Sequence, residues 1–254
     1  MMLRADAAWV VLLLLVSLRI APLFIMAPVF GSAPAPNLFR AALIIALSAA
    51  IVSASGIALS QVPGTLTELG SLAASEIVAG AALAFGLAAA FGAFLFAGRI
   101  LDLQFGFGLA ALIDPSTRTN APLLGTALNL LAVTLFFVAD GHHLLIRALA
   151  FSLEQFPPGR SVSELDLAAV VAQFGVMFTL GLVVAAPAIF AVMLLDIGFA
   201  VVSRTMPQMN VFIIAIPFKI VLGLLVLALS LRYLGAVAQK AFESVFRYWS
   251  MLLS

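Results

Sequence analysis

The chain reads as an all-α membrane-type protein, and three features of the sequence predict it. Hydrophobic residues make up 65% of its 254 positions and charged residues only 9%, against about 25% charged in an ordinary soluble domain. Residues 41–67, 77–98, 119–139 and 167–195 contain no Asp, Glu, Lys or Arg, and a run of ~20 such residues spans a bilayer core as a helix. Proline and glycine fall between or within these runs, where they punctuate helices.

Six main helices are expected. The first covers residues 7–29 and bends near Pro22, because proline removes a donor and crowds the preceding turn. Arg4 ahead of an apolar run resembles a signal peptide, but Arg19 interrupts the run and prolines follow at 22, 28, 34 and 36. A retained first segment is therefore expected. A Pro/Gly/Ser/Asn loop covers 31–37. The second helix covers 38–59 and stops before Pro63-Gly64. The third covers 69–101, a polar segment 114–120 follows, and the fourth covers 122–138. Residues 140–160 are the most polar stretch and hold a short amphipathic helix ending at Pro157-Pro158-Gly159. Ser161 and Glu164 have capping-box spacing and open the fifth helix, which reaches residue 202 with a bend near Pro187. Pro207 breaks the chain. The sixth helix runs from 211 to the C-terminus, bent near Pro217. No tandem repeat or soluble linker stands out, so 1–254 reads as one domain.

Two ladders of small residues recur every fourth position: Ala42, Ala46, Ala50, Ala54 and Ala58, and Gly80, Ala84, Ala88 and Gly92. Small residues at this spacing let helix backbones approach closely. Both ladders are expected to pack on protein, within the chain or in a neighbour. Charge asymmetry is poor for a simple bundle. Alternating six spans puts Arg4, Arg147, Arg160, Arg232, Lys240 and Arg247 on one side and Arg40, Arg99, Arg118 and Arg204 on the other.

The chemistry on offer is sparse. A net charge of +1 gives no basic surface for nucleic acid. There is no cysteine, hence no disulfide or thiolate site. His142 and His143 are adjacent, so their side chains diverge by about 100° on a helix, and no metal site is expected. No phosphate loop, zinc motif or nucleophile elbow is present, so neither catalysis nor a cofactor is expected. Arg19, Glu76, Arg99, Asp102, Asp196, Arg204 and Lys219 lie in or beside apolar segments, where ionisable groups are expensive and pair. Arg99 and Asp102, three apart, can share a helix face. Few of the acids lie in apolar segments, which argues against a proton relay.

Four short pieces carry the most information. One is Arg19-Ile-Ala-Pro22-Leu-Phe24, continuing to Pro28-Val-Phe30. Another is Gly98-Arg99, Asp102-Leu-Gln104-Phe105-Gly106-Phe107 and Asp114-Pro115. A third is Asp140-Gly141-His142-His143 with Pro157-Pro158-Gly159. The most specific is Arg204-Thr-Met-Pro207-Gln208-Met-Asn210-Val-Phe212, followed by Pro217-Phe-Lys219. In this order and spacing they resemble the FliR/SctT family of type III secretion export-gate proteins, over nearly the full length. The Gly-His-His and Pro-Pro-Gly pieces lean toward the flagellar branch.

The resemblance implies a fold of antiparallel helical hairpins with proline-kinked helices, part of a larger helical assembly. It implies FliP-like and FliQ-like partner subunits, FlhB-like and FlhA-like export proteins nearby, and unfolded polypeptides as cargo. It implies a bacterial inner membrane and flagellar basal-body location, with much of the assembly above the membrane plane. It also implies a plug loop. Phe105, Gly106, Phe107, Gly108, Asp114 and Pro115 are the candidates within 105–120, because aromatic bulk sits beside permissive backbone. An ordinary turn with Asp114 as a cap is the other reading of that segment. Arg19, Pro22, Arg99, Asp102, Arg204, Pro207, Gln208, Asn210, Phe212, Pro217 and Lys219 are expected to act in structure and assembly, with Gln208, Asn210 and Lys219 satisfying carbonyls that Pro207 and Pro217 free. The alternatives are an injectisome gate subunit and, from another class, a small secondary transporter.

Overall fold

A computed structural model of the chain describes residues 2–28, 36–57, 59, 63–107, 122–160, 165–206 and 211–253. Among these, every regular element is a helix: α1 (Met2–Met26), α2 (Asn37–Ser55), α3 (Leu66–Phe105), α4 (Leu123–Val138), α5 (Gly141–Gln155), α6 (Leu167–Thr205) and α7 (Val211–Leu252). This is the expected all-α, membrane-type architecture. Five helices are long and apolar enough to cross a membrane, or six if the bent pair α4–α5 forms one span. Pro22, Pro187 and Pro217 lie inside continuous helix.

The boundaries follow local chemistry. Helix α3 starts earlier than expected because Thr65 and Glu68 form a cap: Glu68 N donates to Thr65 Oγ1, and Glu68 Oε2 accepts from Gly64 N. Helix α2 stops at Ser55 because Gly56 turns left-handed at φ 63°. The expected Ser161–Glu164 capping box lies outside the described residues. Asp166 instead caps α6, accepting from Ala168 N at 2.9 Å. Between α4 and α5 Asp140 sits in the left-handed region at φ 54°. Helix α5 is the expected short amphipathic element, burying Leu145, Leu149, Ser152 and Leu153.

The chain divides into two compact units. One comprises Met1–Ala89, Asp140–Phe174 and Phe242–Ser254; the other comprises Ala90–Ala139 and Gly175–Ala241. In the first unit, α1 buries Leu12, Leu15, Val16, Arg19, Ile20 and Leu23, a stripe at helical spacing. Its opposite side leaves Val10 and Leu14 exposed. The C-terminal end of α7 bolts onto α3: Trp249 Nε1 donates to Leu83 O at 3.0 Å and Tyr248 Oη to Ala82 O at 2.8 Å. Gly86 makes room, since a Cβ there would collide with the Tyr248 ring. In the second unit the packing is aromatic: Phe96 meets Phe178 edge-on at 4.9 Å and Phe91 meets Phe136 at 5.7 Å.

The two small-residue ladders separate. Gly80 and Ala84 are buried, and a Cβ at Gly80 would strike the Arg19 backbone. That ladder packs within the chain. Ala42, Ala46, Ala50 and Ala54 are all exposed, and α2 buries only Ser48, Ile51 and Val52. Ala58 lies outside the described residues.

Gly80→Ala should therefore destabilise the first unit by about 1–3 kcal/mol, as overpacking does. Gly70→Ala, whose added methyl meets nothing within 4 Å, should be neutral or slightly stabilising. Thermal unfolding of the detergent-purified protein measures both, and equal Tm values for the two variants would contradict the close approach.

Candidate functional site

An arginine in an apolar helix needs acceptors, and Arg19 finds four. Its Nε donates to Glu76 Oε2 at 2.5 Å and its Nη2 to Glu76 Oε1 at 2.9 Å. Its Nη1 donates to Ser152 O at 3.1 Å and Phe156 O at 2.7 Å. Both side chains are essentially fully buried, at 1% and 0% exposure. Ser152 and Phe156 lie at the C-terminal end of α5, where the helix dipole favours cations; the Ser152 carbonyl also accepts from Phe156 N at 3.0 Å. The Arg19 guanidinium also stands 5.4 Å from the Phe156 ring centroid. Glu76 Oε1 takes a further bond from Gly159 N at 3.4 Å, and Gly159 needs its glycine, with φ at 106°. One bidentate pair thus joins α1, α3, α5 and the Pro157-Pro158-Gly159 turn.

A second polar node lies in the other unit. Asp102 is 6% exposed. Its Oδ1 accepts from Leu124 N at 3.0 Å and its Oδ2 from Gly125 N at 3.2 Å. Those are the second and third residues of α4, whose N-terminal position is Pro122 with no side-chain cap. The expected Arg99–Asp102 pairing gives way to this: Arg99 is exposed, and two helix N–H groups with their aligned dipole take the carboxylate. Gly98 and Gly125 bring the backbones of α3 and α4 together, because a Cβ on Gly98 would strike Gly125.

The end of α3 is also tightly specified. Phe107 N donates to Asp102 O at 3.0 Å and Gly106 N to Leu103 O at 3.2 Å. Gly106 has φ 87°. This is a Schellman ending, which calls for glycine. Phe105 is fully buried, with its ring seated where a Cβ on Gly223 would lie. Phe107 is half-buried, 6.4 Å from Phe105 between ring centroids. Gly108, Asp114 and Pro115 lie outside the described residues.

The remaining candidates are spread out. Lys219 does not cap a freed carbonyl; its Nζ pairs with Asp196 Oδ1 at 2.5 Å, because a carboxylate is the stronger acceptor for an ammonium. Pro22 is half-buried, while Arg204 and Pro217 are exposed. Pro207, Gln208 and Asn210 lie outside the described residues, as does the side chain of Phe212. The His142 and His143 rings are tilted by 38° with centroids 4.1 Å apart, closer than diverging neighbours predict. Asp140, His142 and His143 could offer ligand atoms within 4.8 Å of one another. They sit at the start of α5, where helix dipoles disfavour a cation.

Several groups that matter here are not apparent from sequence spacing alone. Ser152 and Phe156 act through backbone carbonyls, which side-chain patterns do not reveal. Gln173, whose Nε2 donates to Ser244 Oγ at 3.2 Å, looks like an ordinary helix residue.

Removing one partner of a buried pair leaves the other charge stranded. Glu76→Ala should cost about 3–5 kcal/mol on that account, and Arg19→Lys should not restore stability because an ammonium lacks the bidentate fork. The double variant Arg19→Met/Glu76→Met should regain much of the loss. Chemical unfolding of the three variants checks the order.

Known proteins resemble the chain along most of its length. The chain is 28% identical over 238 residues to the flagellar biosynthetic protein FliR of Bacillus subtilis (strain 168), covering 91% of this chain and 90% of that protein. It is 29% identical to the FliR of Aquifex aeolicus (strain VF5), covering 96% and 95%. It is 30% identical over 185 residues to the Yop proteins translocation protein T of Yersinia pestis, covering 72% and 71%. Residues 10–245 match the family described as Bacterial export proteins, family 1, and the chain belongs to that family.

Proposed function

We propose that this chain is a core membrane subunit of a type III protein export gate, of the flagellar kind. The family match over residues 10–245 carries this reading. The FliR proteins of Bacillus subtilis and Aquifex aeolicus align over 91% and 96% of the chain and the Yersinia translocation protein over 72%; the flagellar reading rests on those two longer alignments. The gate sits in the bacterial inner membrane at the basal body, and 1–254 acts as one gate subunit.

The exposed apolar surface supports an assembled role. Only 17% of the most apolar part of α2 is buried within the chain, and 22% and 28% of the corresponding parts of α7 and α6. Lipid covers such faces, but small residues suit a protein neighbour better than acyl chains. The ladder Ala42, Ala46, Ala50 and Ala54 is thus a seam for another subunit, with FliP-like and FliQ-like proteins as partners and FlhB-like and FlhA-like proteins near the assembled gate. The cargo is unfolded polypeptide. The chain itself performs no chemistry; its part is to wall and seal a passage.

The seal is assigned to residues 105–120. Phe105 is fully buried and Gly106 ends α3 in a left-handed turn, and that aromatic and glycine pairing at the start of the segment supports the reading. An apolar constriction blocks ions by excluding water.

Two outcomes test this. Co-expression with FliP-like and FliQ-like subunits should give one defined complex, and Ala50→Leu should lower its yield; wild-type yield for that variant contradicts the seam. Deleting residues 110–114 should raise ion conductance of cells carrying the complex, and unchanged conductance contradicts the seal. A freely purified chain that drives ion-dependent uptake of a small solute would instead identify a transporter.

A further inference from the structure

The Asp140-Gly141-His142-His143 piece has no part in walling a passage, and its side chains are arranged in an unusual way. Asp140 stands in the capping position of α5, where an aspartate ordinarily accepts from the second or third helical N–H. Asp140 makes no such bond. Its backbone is left-handed at φ 54°, alone among the described non-glycine residues. The carboxylate faces an imidazole instead, with Oδ1 3.5 Å from His143 Nδ1. The turn closes through main chain: Asp140 O accepts from His143 N at 3.0 Å and from Leu144 N at 3.3 Å.

The two imidazoles also depart from their ordinary placement. Adjacent helical side chains diverge by about 100°, yet these rings lie side by side with centroids 4.1 Å apart. Each of the three side chains offers a ligand atom within 4.8 Å of the other two. Donors around a tetrahedral zinc ion stand about 3.3 Å apart, given bonds of roughly 2.0–2.1 Å. Asp140 and His143 are 76% and 65% exposed, so both can rotate to close that gap and an ion can reach them. The dipole at the start of α5 opposes a cation, but at an exposed helix end this weakens binding only about fivefold. The uncapped carboxylate supplies the compensating charge.

We propose that Asp140, His142 and His143 form a binding site for a divalent transition-metal ion such as zinc. Two imidazoles and one carboxylate suit zinc, whereas magnesium and calcium prefer oxygen donors throughout. Three protein ligands leave a position of the tetrahedron for water. The ion joins the Asp140 and His143 side chains across the same turn that their main-chain bond closes, and so staples the first turn of α5. The other end of that helix presents the Ser152 and Phe156 carbonyls to Arg19. Metal occupancy therefore steadies a helix on which the buried Arg19 network depends.

The test uses the full-length chain, purified in detergent without a polyhistidine tag, with zinc ion alone as the probe. Calorimetric titration should show about one zinc ion bound per chain. His142→Ala, His143→Ala and Asp140→Asn should each weaken binding about tenfold or more, since even groups behind a metal ligand contribute that much. Glu154→Gln, at another exposed acid of α5, should bind as the wild type does. Hydrogen exchange at the His143 and Leu144 amides should slow when zinc is added to the wild type. That readout needs no variant, so it stands even if a substituted chain folds poorly. A wild type that takes up no zinc overturns the site, as does uptake that all three variants leave intact. Uptake with unchanged exchange at both amides puts the ion elsewhere and overturns it equally.

Discussion

An apolar chain has little water inside it to satisfy polar groups, so each buried polar atom must find a partner in the protein. Arg19 shows how strongly this constraint shapes the structure. Its guanidinium reaches a carboxylate on α3 and two carbonyls at the end of α5. Those bonds can form only if α1, α3 and α5 meet at one point and in one register. Gly80 lets α3 come close enough, and Gly159 turns the chain so that its N–H also reaches Glu76. Apolar contacts alone would leave greasy helices free to slide, since they are non-directional. The buried pair selects one arrangement.

The two units solve this problem in different ways. The first is pinned by directional bonds: the Arg19–Glu76 pair, and Tyr248 and Trp249 donating into the α3 backbone. The second relies on rings set against glycines, as with Phe105 on Gly223 and Phe96 on Gly181, plus the Asp102 bonds to α4. The pinned unit contains the turn at Pro157-Pro158-Gly159. The ring-packed unit carries both flanks of the segment assigned to the seal.

Much of the architecture was legible from composition and punctuation, because helix existence depends on long apolar runs that nothing else can form. The helix ends were less so. Thr65-x-x-Glu68 is a cap in plain sight, yet Pro63-Gly64 drew attention to the wrong start. The ionisable residues were recognisable as members of pairs, and Glu76 and Asp196 were both among them. Their partners were harder to assign. Arg99 lies one turn from Asp102, but proximity along a helix is weaker than two backbone N–H groups presented from another helix. Arg19 gave no hint that half its bonds go to main-chain carbonyls, because backbone acceptors are invisible in a pattern of side chains. The alanine ladder on α2 is expected from its spacing to pack on protein, and the chain itself leaves it uncovered.

The spacing of the Arg19 contacts also bears on biogenesis. The cation is made early, Glu76 follows 57 residues later, and Ser152 133 residues later. Chains emerge from the ribosome N-terminus first. During synthesis α1 therefore carries an uncompensated positive charge while its counter-ion is still untranslated. A lone arginine makes such a segment costlier to place in the lipid interior until its neighbours arrive. The full set of Arg19 bonds is accordingly complete only once translation has passed α5, and a chain truncated ahead of that helix lacks the two carbonyls that its Nη1 bonds.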